Sequence, residues 1–231
     1  MKEKKCISII IPIHKMTPAI DLVRHQLSLA KTPVEIIFVI AKKLEGLIKR
    51  KGSNEKVIIS SKVGRGFFFL EGIQVAIGDI ILFLHSDTIL PLGWDMVICR
   101  TLLDKNVVGG GFSLVFDARN IYLRLLVFLS DLFFRLSGEL WGDRAIFIRS
   151  KFIDDCQLTM NVPIMEDVRL SHCMQKKGKV VLLKEKVTTN ASAFVNTGLL
   201  RQTLRILTWR LWYALGGDLW KIYKIYYPST V

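Results

Sequence analysis

The chain is 231 residues long and 51% hydrophobic, with a formal net charge of +13. Apolar content of this order can bury a sizeable core and excludes long disordered tracts. The charge calls for an anionic partner (a phosphate-bearing ligand, lipid or nucleic acid). Nucleic acid is the weakest of these, because no zinc-finger spacing, RNA-binding signature or basic low-complexity arm is present.

The first predicted element is a strand. Ile7, Ile9, Ile10, Ile11 and Ile13 form a nearly unbroken β-branched run that ends in Pro12-Ile13-His14. Continuous hydrophobicity of that kind belongs to a strand covered on both faces, the habit of parallel sheets. The run is too short to span a membrane and lacks a small-residue cleavage site, so no signal peptide is read there. Thr17-Pro18 supplies an N-cap and first-turn proline for a helix to about Lys31. Val34 to Ile40 and Val57 to Ile59 are the next strands. Gly64-Arg65-Gly66 is a turn into a helix through Ile77, and Gly78-Asp79 ends it before a buried strand, Ile80 to Leu84.

A helix over Trp94 to Leu103 and a strand over Val107 to Phe116 follow. Arg124 and Asp131 interrupt the apolar stretch Ile121 to Phe134, which argues against a spanning helix of about 20 apolar residues. Ala145 to Arg149 is a further strand. A further helix opens at Pro163-Ile164-Met165-Glu166-Asp167 and runs to Lys177, with Gly178 as its stop. Strands alternating with helices predict a doubly wound, mostly parallel α/β sheet flanked by helices, with ligands at the carboxyl ends of its strands. Cys6, Cys99, Cys156 and Cys173 include no CxxC pair and read as buried thiols of a reducing, cytoplasmic compartment.

Three constellations carry chemistry. In Phe83-Leu84-His85-Ser86-Asp87-Thr88 a buried strand delivers Asp87 to its carboxyl end. A carboxylate there can hold a divalent cation against a diphosphate, or simply cap the loop before Pro91. Glu166 and Asp167 open a helix, where they either favour the positive end of its dipole or supply a general base for an incoming hydroxyl. Trp141-Gly142-Asp143-Arg144 is either an ordinary turn or the acceptor side of a cleft. Beside these, Gly64-Arg65-Gly66 offers backbone N–H groups and a guanidinium to phosphate, although a lone GxG is a weak signal.

The order of motifs resembles the family 2 glycosyltransferases, a compact bacterial-type subgroup in particular. The matching segments are Ser8-Ile9-Ile10-Ile11-Pro12, Gly64-Arg65-Gly66, Gly78-Asp79-Ile80 to Pro91, Gly142-Asp143-Arg144-Ala145-Ile146-Phe147 and Met165-Glu166-Asp167-Val168. The resemblance implies the GT-A fold, a nucleotide-sugar donor, Mg²⁺ or Mn²⁺, and inversion at the anomeric carbon. It makes Asp87 the last acid of the Asp-x-Asp metal motif and Asp167, with Glu166 beside it, the base of the Glu-Asp motif. Pro12 and His14 would edge the nucleotide pocket together with Gly64, Arg65 and Ser86.

His85 stands where the first acid of Asp-x-Asp is usual, and imidazole suits Mn²⁺ better than Mg²⁺. Ala41, Lys42, Phe68 and Leu70 replace residues that are acidic or polar in relatives, and an arginine cluster usual near Thr188 to Phe194 is missing. These departures keep open a catalytically silent nucleotide-sugar-binding protein.

Residues 1–195 read as the transferase domain and 196–231 as a basic, aromatic helical extension. In the extension Arg201, Arg205, Arg210, Lys221 and Lys224 face only Asp218, a balance of +4 (five minus one). With Trp209, Trp212, Trp220, Tyr223, Tyr226 and Tyr227 this composition suits amphipathic helices on an anionic membrane face, and Tyr122 to Leu136 has a similar mix. A lipid-linked acceptor and a peripheral position on the inner membrane face follow from that reading. Packing on the domain, or a homodimer interface, is the alternative.

Overall fold

The computed structural model describes residues 6–16 and 19–226. The chain runs β1 (Ile7–Ile13), α1 (Ala19–Ser28), β2 (Val34–Ala41), β3 (Glu55–Ser60), α2 (Arg65–Ile73) and β4 (Ile80–Phe83). It continues through α3 (Trp94–Thr101), β5 (Val107–Phe116), α4 (Ile121–Ser137), β6 (Ile146–Arg149), α5 (Ile153–Gln157) and α6 (Glu166–Lys177). Last come β7 (Lys179–Thr189), α7 (Ser192–Thr197), α8 (Leu199–Ala214) and α9 (Leu219–Tyr226). Thr17 and Pro18, the expected cap of the first helix, and Tyr227 lie outside the described residues.

The seven strands form one sheet in the order β3-β2-β1-β4-β6-β5-β7. Its pairs are parallel except that β6 runs antiparallel to both β4 and β5. β1 is central, and every one of its residues is buried. Successive side chains of a strand point to opposite faces, so its isoleucines divide between two layers. Ile7, Ile9, Ile11 and Ile13 pack under α1 and α3 with Leu27, Trp94 and Ile98. Ile10 faces the other layer, where Phe68, Phe69 and Ile73 of α2 meet Leu170 and Met174 of α6. Burial on both faces explains why no polar alternation marks these strands.

The second helix stops at Ile73, four residues short of the expected Ile77, because Gln74 to Ala76 close back in single turns ahead of Gly78. Gly78 is needed there: an added Cβ would sit 2.7 Å from the Ser8 backbone nitrogen. The cysteines depart from expectation. Cys156 of α5 and Cys173 of α6 form a disulfide, and only Cys6 and Cys99 are free thiols among the described residues. The two lie 17 positions apart in sequence, so no sequence motif announces the pair.

Of the two readings of the C-terminal aromatics, packing on the domain is the one that several of them follow. Trp209 and Tyr223 are buried in a small core with Ile164, Met165 and Val168 at the head of α6. Trp220, which remains partly exposed, stacks on Phe67 of α2 at 5.9 Å. The aromatic faces of α8 and α9 therefore cover the protein. Among the described residues no helix is long and apolar enough to cross a membrane.

Candidate active site at the carboxyl edge of the sheet

Three elements converge at one edge. β1 ends just before His14, β4 ends just before His85, and β6, running the other way, begins just after Gly142–Arg144. Because Phe83 pairs with Ile146, the antiparallel strand brings the 142–144 turn to the edge where β4 delivers His85 to Asp87. The heads of α2 and α6 complete the site.

Arg65 is its hub. The Arg65 Nε donates to Glu166 Oε1 in a close ion pair, and its Nη2 lies 3.4 Å from Asp167 Oδ2. Its Nη1 lies 3.4 Å from His85 Nε2. The head of α2 is brought here by close backbone packing: Arg65 N–H donates to Pro163 O at 3.1 Å. A Cβ on Gly66 would sit 2.2 Å from Val162 O and 2.5 Å from Met160 O. Neither carbonyl is a side-chain end that can swing away. Gly66→Ala is therefore expected to cost about 1–3 kcal/mol, as other overpacking does, and to displace Arg65. Urea unfolding should show the loss; a variant as stable as wild type would contradict the close approach.

Asp167 is held from three sides. Its Oδ2 accepts the Gly142 N–H at 2.6 Å as well as facing Arg65, and its Oδ1 accepts its helix neighbour's Val168 N–H at 2.9 Å. The residue before the pair, Met165, has φ +66°, a left-handed conformation that costs a non-glycine residue about 1–2 kcal/mol. Ala145, just past the 142–144 turn, has φ +47° and is the other such residue among those described. Strain thus flanks the acid pair on both supporting turns, a pattern associated with functional sites.

Glu166 is fully buried, and burial pushes its carboxyl up to about 7 against the pull of Arg65. The folded state therefore holds this proton between about pH 4.5 and 7, where the unfolded chain releases it. Its contribution to stability is complete at low pH and lost as pH rises through about 7. Wild type is expected to lose stability relative to Glu166→Gln over that window and to run parallel with it above. Urea titrations at several pH values test this, and parallel curves throughout would refute it.

His85 is held neutral: burial, then the Arg65 charge, lowers it to about 4. Its Nδ1 lies 3.4 Å from Asp143 Oδ1 and its Nε2 faces Arg65, so Nδ1 carries the proton and Nε2 accepts. His14, likewise lowered to about 4 by burial and by Arg65, stacks on Phe68 at 4.3 Å. Phe68 thus forms a floor under His14.

The remaining predicted positions are distributed differently. Asp87 is exposed on the turn after β4, with Ser86 half-buried beside it. Pro12 lies inside β1 and is buried, one residue short of the edge. Gly64 packs on Pro163. Trp141 packs against Phe133 and under Arg210. Arg144, expected on the acceptor side, is fully buried: it donates to Phe112 O at 3.3 Å and Ser130 Oγ at 2.6 Å, and pairs with Asp131 at 2.7 Å. A guanidinium so enclosed ties β5 to α4 and cannot meet a substrate. Tyr226, from the far end of the chain, stands within electrostatic reach of Asp143, Arg65 and Asp167. Nothing local in its sequence marks it as a neighbour of the site.

Among the described residues no group of three or more His, Cys, Asp or Glu side chains is gathered to hold a metal. Asp87 fits a divalent cation as a single exposed carboxylate, provided ligand oxygens and water fill the other positions. His85 would have to give up its 3.4 Å contacts with Asp143 and Arg65 to join it.

No protein-family model matches the chain, and no curated protein does. Solved structures do. The crystal structure of S. aureus TarS 1–349 superposes with a TM-score of 0.57 at 14% identity, covering 81% of this chain and 61% of that one. Its complex with UDP-GlcNAc gives 0.57 and 14%, covering 80% and 58%. The 4-diphosphocytidyl-2C-methyl-D-erythritol synthase of Anaerococcus prevotii gives 0.56 at 16% identity, covering 79% and 88%. The fold is GT-A-like. At these identities the likeness is one of fold, and the chain spans about three fifths of the TarS 1–349 structures it matches.

Proposed function

We propose that this protein is an inverting glycosyltransferase that moves a sugar from a nucleotide-diphosphate sugar to a hydroxyl acceptor. The observation that carries the reading is the Asp167 carboxylate, fixed by the Gly142 and Val168 N–H groups at the sheet edge with Arg65 across from it. The edge is where open α/β sheets take their ligands. One fold neighbour was solved with UDP-GlcNAc, which makes that compound the first donor to try.

In this mechanism the acceptor hydroxyl gives its proton to Asp167 as its oxygen attacks the anomeric carbon. The bond from that carbon to the diphosphate oxygen breaks, and the diphosphate leaves on the opposite face. One displacement with one base inverts the anomeric centre. Arg65 holds Asp167 in place before the donor arrives, and its guanidinium is suited to the diphosphate once charge develops there. Asp87 would hold a divalent cation, which when bound offsets the charge of the departing diphosphate.

A second reading, a silent nucleotide-sugar-binding protein, is favoured by the same Arg65 occupying both acids. Thermal shift with UDP-GlcNAc and other nucleotide sugars, with Mg²⁺, Mn²⁺ or EDTA, tests donor binding. A ligand at about 100 times its dissociation constant adds roughly 2.7 kcal/mol. A shift accompanied by donor hydrolysis supports the transferase, a shift without it supports the silent protein, and the absence of any shift sinks both.

A further inference from the structure

We infer that α4 and α8 together form a docking face for an anionic lipid bilayer. The inference rests on the surface of the fold and stands whether or not the transferase reading does. Only Leu123 of the 17 residues in α4 is buried. Its outer side carries Ile121, Leu125, Phe128, Leu132 and Leu136, from 42% to 80% exposed. On α8 the outer side carries Leu200, Leu204, Leu207 and Leu211, continued by Leu215, from 54% to 78% exposed. Both sets follow the same spacing (i, i+4, i+7, i+11, i+15), which places each on one face of a helix.

The two helices are linked near both ends. Tyr122 Oη donates to Thr203 Oγ1 at 3.1 Å, and Arg210 pairs closely with Glu139 just past the end of α4. Exposed apolar surface on this scale marks an interaction site rather than a solvated face.

Charge decides the partner. α8 carries Arg201 and Arg205 beside the Glu139-paired Arg210 and no acidic residue, and the only acid of α4, Asp131, is bound to the buried Arg144. An open cavity of about 650 Å³ beside α4 continues the apolar surface from Leu123 and Phe128 to Arg119, Arg124 and Lys186. Leucine and phenylalanine flanked by arginine is the composition of a helix lying in a negatively charged lipid interface, where long cationic side chains reach up to the headgroups. A second copy of this chain fits less well, because a two-fold contact would press like-charged arginines together.

Co-sedimentation of the full chain with vesicles tests the inference, using phosphatidylcholine alone and phosphatidylcholine mixed with phosphatidylglycerol. Binding is expected to the mixed vesicles and to fall with added salt. Leu125→Gln and Leu204→Gln should each weaken it about 10-fold or more, and Arg124→Gln and Arg201→Gln about 5-fold. All four positions are on the surface, so thermal melts and soluble donor hydrolysis should be unchanged. Asp167→Asn should bind vesicles as wild type does, which separates failure of docking from failure of transfer. Wild type left in the supernatant with both vesicles would overturn the inference. So would binding indifferent to the leucine variants, or a dimer in sedimentation velocity that Leu125→Gln dissociates.

Discussion

Asp167→Asn is expected to lower sugar transfer by about 10²–10⁴-fold while leaving donor affinity nearly unchanged. The amide keeps an oxygen that can still accept the Gly142 N–H, now at 2.6 Å from the carboxylate, so the turn that holds the residue survives. It cannot take a proton from the acceptor hydroxyl. The loss should therefore appear in kcat, with the donor KM little changed, because the missing interaction exists only as the hydroxyl becomes a nucleophile. Glu166→Gln should cost less, since Glu166 is enclosed and serves to hold Arg65. Steady-state kinetics with the donor found by thermal shift decide the matter. Transfer by Asp167→Asn within a few-fold of wild type would remove Asp167 as the base.

Arg144→Met should be the most destabilising single change, about 3 kcal/mol. Its guanidinium is sealed between β5 and α4 and satisfies Phe112 O, Ser130 Oγ and the Asp131 carboxylate. Methionine fills much of the space but leaves those acceptors unpaired and Asp131 without its cation. Removing one partner of a buried pair costs about 3–5 kcal/mol, and partial exposure of Asp131 places the estimate at the lower end. For a chain of this size the melting temperature should fall by about 6–12 °C. The double variant Arg144→Met/Asp131→Leu should recover much of the loss, because replacing both charges removes the orphan. A melting temperature within about 2 °C of wild type for the single variant would show that the pair does not tie α4 to the sheet.

The sheet was legible wherever burial is two-sided. The β-branched runs Ile7–Ile13 and Val34–Ala41 are strands because their side chains are covered on both faces, and such runs state this in their composition. The end of α6 at Gly178 was equally legible, since glycine there adopts φ +152°. The acids at the head of the same helix could be picked out because they recur in a recognisable order with Gly64-Arg65-Gly66. What they touch could not. Arg65 meets Glu166 101 residues away, and the Gly142 N–H meets Asp167 25 residues away.

The cysteines and the C-terminal aromatics show the same boundary. The spacing of Cys156 and Cys173 says nothing of a disulfide, and the pairing exists because α5 and α6 pack against each other. Trp209 and Tyr223 have the composition of a lipid-facing belt, yet the head of α6 offers an apolar surface that they bury instead. The leucines of α4 and α8 remain outside.

By itself the sequence determined six of the seven strands, several helix limits and the acid-bearing turns, because periodicity, glycine and β-branching act over a few residues; the half-exposed edge strand β7 carries no continuous apolar run and was not read. The tertiary structure alone decided that β6 runs antiparallel and carries Gly142 to Asp167, that Arg144 is sealed away, and that Tyr226 returns to the site. Those outcomes depend on which surfaces find each other across the folded chain, and that choice is made by packing between distant segments.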